Sequence, residues 1–130
     1  FSSIRTLAHA GDGDFEELLR GSDSLGSLLT DRGYDSVPSA QFPDPDGGPY
    51  YRGGYNTVRH GSSAGGPISG IQIEHNWASV RDNASNRTNY TRALAESTDQ
   101  FFVSQQKAAY EINHGLEFRS VVCRSNRVWP

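Results

Sequence analysis

Two neighbouring segments of the chain carry side chains that suit acid–base and anion chemistry. Arg59 and His60 end one predicted strand, and Glu74 lies on the next one along the chain. Adjacent strands would bring these groups together to bind an anion and move a proton. Each group is also typical of an ordinary surface: a solvated arginine, a hydrogen-bonded loop histidine and a strand carboxylate. Residue types and spacing therefore leave a reactive site and a plain surface both open.

The loop before these residues has the backbone freedom that a binding site needs. Gly53 and Gly54 precede Tyr55 and Asn56, and glycine permits positive φ and close approach of a ligand to the backbone. The sequence contains no HExxH and no CxxC motif. The remaining histidines have no metal-ligand spacing: His9, His75 and His114. No metal site is predicted within this chain.

Helical periodicity and capping residues predict three helices. Asp14 opens a short helix through Leu19, and Ser22 or Asp23 caps a second one that Gly33 stops. A long helix is predicted over 89–110, with apolar residues at helical spacing. The residues of that stripe include Tyr90, Leu94, Phe101 and Phe102. We expect the aromatic pair to lie in the core.

Strands are predicted at 34–37, 54–60, 68–75 and 116–123. The third alternates, with Ile71 and Ile73 on one face and Gln72 and Glu74 on the other. Helices and strands in this order favour an α/β fold in which helices pack on a mixed β-sheet. The first residues, 1–13, are predicted to form an arm or an edge strand.

Composition narrows the class of protein. The 130 residues fit one domain or part of one, and the net charge of −3 argues against a general nucleic-acid binder. No stretch of the sequence approaches the length of an apolar membrane span. The chain contains no methionine and begins at Phe1, from which we expect a processed chain.

Three N-x-[ST] sequons stand in tandem, at Asn83, Asn86 and Asn89. They predict N-linked glycans and a secreted or extracellular protein, although a polar helix start would show the same residues. Cys123 is the single cysteine. It is an inert thiol if the protein is cytosolic, and an interchain disulfide partner if the protein is secreted.

The combined run from Gly53 to Glu74 resembles a known family signature. Gly-Gly-Tyr-Asn-Thr at 53–57, Arg-His-Gly-Ser at 59–62 and Ile-Gln-Ile-Glu at 71–74 are similar to the C-terminal signature of N-formylglutamate amidohydrolases. Ser-Leu-Gly at 24–26 and Gly-Tyr at 33–34 resemble the segment before it. The resemblance covers 22–102, leaving 1–13 as an arm and 115–130 as a terminal strand and tail.

The resemblance implies a metal-dependent amide hydrolase, with the fold of the C-terminal half of a zinc-carboxypeptidase-like domain. It implies that Glu74 is the general base, with His60 as a second catalytic residue. It also implies that the substrate contacts come from Arg59, Asn56, Tyr55, Gly53 and Gly54. The family's metal-ligand segments are missing from this sequence, so zinc requires ligands from a partner chain.

Two functions follow from this pattern. The first is part of an amidohydrolase-like enzyme that is inactive as this chain alone and is completed by an N-terminal companion chain. The second is a non-catalytic secreted glycoprotein, a structural or self-assembling subunit of identical chains in an extracellular assembly.

Overall fold

The computed structural model describes residues 4, 7, 14–49, 54–61 and 68–114, with side chains as far as residue 105. Its helices are α1 (Phe15–Arg20), α2 (Leu25–Thr30), α3 (Tyr55–His60) and α4 (Ala84–His114). Gly53, Cys123 and the predicted strand 116–123 lie outside the described residues. The arm predicted over 1–13 lies almost entirely outside them, and the described Ile4 is buried.

The first helix forms where the sequence predicts it. Asp14 is its N-cap, and the side chain accepts a hydrogen bond of 2.9 Å from the backbone nitrogen of Glu16. Acidic residues occupy the first turn and Arg20 the last, where Arg20 also pairs with Glu16 one turn earlier. Leu18 is the residue that α1 buries.

The two predicted caps of the second helix, Ser22 and Asp23, are wrong. The helix begins at Leu25, and Ser24 caps it by accepting a bond from the nitrogen of Ser27. It ends at Thr30, and Gly33 stops the following turn as predicted. Gly33 has φ of +87°, and its nitrogen donates to the carbonyl of Thr30 over 2.9 Å. Tyr34 donates to the carbonyl of Leu29 over 3.0 Å, which completes a Schellman motif.

The long helix α4 is confirmed, and it extends beyond the predicted 89–110 at both ends. Its buried line is Ala93, Ser97 and Phe101, one residue per turn. Phe101 is 2% exposed while Phe102 is 52% exposed, so the expectation that both rings lie in the core is wrong for Phe102. Among the described residues, no helix is long and apolar enough to cross a membrane.

The core lies where α2 packs against both α1 and α4. Ile4, Leu18, Leu28 and Phe101 form its buried cluster. The segment after α2 packs closely against that helix at Gly26. A Cβ placed on Gly26 would stand 1.9 Å from the carbonyl oxygen of Pro38. Only glycine at this position lets the chain fold back along the helix.

The predicted mixed β-sheet is wrong for the described residues, which contain no strand. Residues 55–60 form helix α3 instead of a strand, beginning after Gly54. Residues 34–37 and 69–75 belong to no helix and no ladder, and a single parallel bridge joins Gly61 to Ile68. The alternation at 68–75 thus occurs without a pairing strand, and its apolar face is only partly covered: Ile73 is half-buried and Ile71 is exposed.

Candidate functional site

A cleft of about 650 Å³ is lined by the segment after α2, by the segment before α4, and by residues of all four helices. Tyr34 and Pro38 line one wall, residues 70–76 line another, and Tyr90 and Phe101 come from α4. This volume is in the usual range for small-molecule sites. The cleft collects side chains from segments that are far apart in the sequence.

Gln72 joins the two halves of the sequence signature. Its Oε1 accepts a hydrogen bond from the backbone nitrogen of Gly54, at the start of α3. Its Nε2 donates to Oε1 of Glu74 over 2.7 Å. A Cβ on Gly54 would stand 2.6 Å from Oε1 of Gln72, so glycine is what lets the amide come this close.

Glu74 lies on the cleft wall with its side chain exposed. One carboxylate oxygen is held by Gln72, and within the described part of the chain the other oxygen makes no hydrogen bond. The carboxylate is thus fixed in orientation and still able to accept a proton from a molecule in the cleft.

A cluster of rings lines the cleft beside Glu74. His75 Nδ1 and the hydroxyl of Tyr90 are 2.8 Å apart, and the two ring centroids are 5.2 Å apart. Tyr34 meets the ring of Tyr90 edge to face at 5.0 Å. Burial raises the pKa of Tyr90, and its neighbour Tyr34 adds to the effect, so the hydroxyl stays protonated at neutral pH.

The other predicted site residues on α3 lie away from this cleft. Tyr55, Asn56, Arg59 and His60 are exposed, and none is among its described lining residues. The rings of Tyr55 and His60 meet edge to face, with centroids 6.4 Å apart. The structure therefore brings Glu74 and, through Gln72, Gly54 together, and leaves Arg59 and His60 apart from the cleft.

Sequence reasoning missed the residues that shape the cleft. In the sequence, His75 has no metal-ligand spacing, and Tyr90 belongs to an apolar helix stripe. Tyr34 and Tyr90 are far apart in the sequence, so local spacing contains no signal for their contact. The sequence contains one signal for the cleft: Gln72 and Glu74 lie on the same polar face of the segment 68–75.

The three sequons lie at the start of α4. Asn83 precedes the helix and accepts a bond of 2.9 Å from the nitrogen of Asn86, which is an N-capping contact. Asn86 and Asn89 lie within the helix. The side chains of Asn83 and Asn89 are exposed, and Asn86 is half-buried. Capping accounts for Asn83 alone, so glycosylation of the three sites stays a prediction.

The cleft does not offer a zinc site from its own residues. No group of three histidine, cysteine or carboxylate side chains among the described residues is close enough to hold a metal ion. Glu74 is bonded to Gln72, and His75 is bonded to Tyr90. The donor set near the cleft does not fit the three protein ligands that catalytic zinc requires.

Comparison with family models, with curated proteins and with solved structures finds no match to this chain.

Proposed function

We propose that this chain is the base-bearing part of an amide hydrolase that acts on N-acyl amino acids together with a companion chain. The proposal is carried by the Gln72 contact, which joins the Gly-Gly-Tyr-Asn-Thr and Gln-Ile-Glu segments beside a cleft. These are the segments that resemble the N-formylglutamate amidohydrolases. Their meeting at a small-molecule-sized cleft is what an active site built from both would require.

Glu74 is the proposed general base. Its carboxylate accepts a proton from the attacking water as the water oxygen bonds to the carbonyl carbon of the substrate amide. The carbon–nitrogen bond then breaks, and the proton passes to the leaving nitrogen. The products are a carboxylic acid and a free amine. Gln72 is a positioning residue that holds one oxygen of Glu74 and leaves the other for the proton.

In this proposal the companion chain supplies the zinc ligands, because the described residues do not form a zinc site. Cys123 is the proposed disulfide link to that chain. His60 and Arg59, which lie outside the cleft lining, would have to meet the substrate through the companion's surface. This arrangement makes the chain inactive on its own.

The test uses the native protein together with any chain that accompanies it. Intact mass before and after reduction, metal content, and formate release from N-formyl amino acids are measured on the same material. A second chain, about one zinc per complex and formate release are the expected results. A single chain without metal that releases no formate would overturn the proposal.

A second function is favoured by the position of Arg59 and His60, which do not converge with Glu74 on the cleft. In it, the chain is a secreted, non-catalytic glycoprotein that serves as a structural or self-assembling subunit. The exposed apolar residues Trp77, Phe102 and Val103 would then contact identical subunits. Sedimentation of the deglycosylated protein decides between them: concentration-dependent self-association without formate release supports this second function, and a metal-containing heterodimer rejects it.

A further inference from the structure

We infer that the cleft selects N-acyl amino acids with an uncharged aromatic side chain, and disfavours acidic ones. This inference rests on the proposed function, since it names the substrate class of the same site. It departs from the acidic substrate that the sequence resemblance implies. Three features of the cleft wall carry it: its charges, its rings and its exposed apolar side chains.

The charged groups of the described wall are of one sign. Asp35 and Glu74 both line the cleft, and no arginine or lysine does so among the described residues. The imidazole of His75 is engaged with the hydroxyl of Tyr90. A second carboxylate on a substrate would meet like charge without a described cationic partner, which discriminates against it.

The rings form a surface that suits another aromatic group. Tyr34 and His75 each meet Tyr90 nearly at right angles, with interplanar angles of 73° and 77°. Aromatic rings favour such edge-to-face contacts, and a further ring can extend the arrangement. The hydroxyl of Tyr90 is already bonded to His75, so the cluster offers mainly carbon surface to a ligand.

Apolar side chains also line the wall and remain uncovered, beside polar residues such as Asn76. Val37 is 48% exposed and Ile71 is 49% exposed, and both line the cleft. An apolar ligand group would remove this surface from water, whereas an acidic group would gain nothing from it. Charge, ring geometry and exposed carbon therefore point to the same chemical class of ligand.

Calorimetric titration of the native protein with N-formyl-L-phenylalanine and with N-formyl-L-glutamate tests the inference. The phenylalanine compound is expected to bind about tenfold tighter. In Asp35→Asn, binding of the glutamate compound should improve about threefold, with the phenylalanine compound unchanged. Asp99→Asn, an exposed carboxylate of α4 outside the cleft, is the matched control and should change neither value.

Asp35 is exposed, so we expect Asp35→Asn to fold normally and to report on charge in the cleft alone. Equal or tighter binding of the glutamate compound would overturn the inference, and so would binding of neither compound. Preference for the phenylalanine compound without formate release would support the inference and count against the proposed hydrolase function. Formate release that favours the glutamate compound would support the proposed hydrolase function and count against this inference.

Discussion

Gln72 donates a hydrogen bond of 2.7 Å from its side-chain amide to the carboxylate of Glu74. The same amide accepts a bond from the backbone nitrogen of Gly54, so one exposed side chain connects the start of α3 to the cleft wall. Both ends of the amide are used, which fixes its orientation and that of the carboxylate. We interpret this contact as the link that orients the proposed base.

Gln72→Ala should therefore impair turnover more than folding. We expect kcat to fall about tenfold, as for other residues that orient a reactive group, with KM nearly unchanged. The melting temperature should change little because the side chain is exposed. Gln105→Ala, an amide of α4 outside the described cleft lining, is the control and should leave kcat unchanged. An unaltered kcat in Gln72→Ala would contradict the positioning role.

Helices α1, α2 and α4 could be predicted from local sequence, because helix ends depend largely on neighbouring residues. Asp14 caps α1 and Gly33 closes the turn after α2 through contacts within a few residues. The strand predicted at 54–60 failed because a short run with β-branched and aromatic residues also suits a helix once Gly54 starts it. Whether an extended segment becomes a strand depends on a partner, and periodicity does not contain that information.

The candidate site, too, could be predicted from the sequence only in part. The resemblance linked Gly54 with Glu74, and the structure places both around Gln72. The contacts of Tyr90 with His75 and Tyr34 join segments that local patterns do not connect. Arg59 and His60 belong to the same signature in sequence, yet neither lines the described cleft, to which α3 contributes Thr57.

Gly26→Ala should destabilise the protein strongly. The new Cβ would stand 1.9 Å from the carbonyl oxygen of Pro38, so backbone must move. We expect a loss of about 2–3 kcal/mol in the free energy of unfolding, measured by chemical denaturation. Gly70→Ala is the matched control, because its Cβ would meet only the Thr57 methyl at 3.9 Å. Equal stability of the two variants would show that the approach of Pro38 is not required.

Ser97 and Ser27 are both buried and should respond oppositely to removal of the hydroxyl. Within the described part of the chain Ser97 Oγ has no hydrogen-bond partner, whereas Ser27 donates to Gly21 over 2.7 Å and accepts from Ala40 over 2.9 Å. Ser97→Ala should be neutral or stabilise by up to about 1 kcal/mol, and Ser27→Ala should destabilise by about 2 kcal/mol. Denaturation curves measure both, and a destabilised Ser97→Ala would refute the assignment of an unsatisfied hydroxyl.

Tyr90 should make stability depend on alkaline pH. Burial raises its pKa above the ordinary 10.0, so the unfolded chain loses the phenol proton first as the pH increases. The contribution of Tyr90 is fully present below pH 10 and is lost as the pH rises through the folded pKa. Melting temperatures between about pH 8 and pH 11 should fall less in Tyr90→Phe than in the native sequence. An equal fall in melting temperature for the two proteins over this pH range would contradict the prediction.

The most direct test of the proposed function is formate release by the native complex carrying Glu74→Gln. Loss of a general base predicts that kcat falls about a hundredfold or more, while ligand binding in the cleft persists. Glu96→Gln, an exposed carboxylate of α4 that does not line the cleft, should retain kcat within about twofold. Full activity of Glu74→Gln would contradict the assignment of this residue as the base.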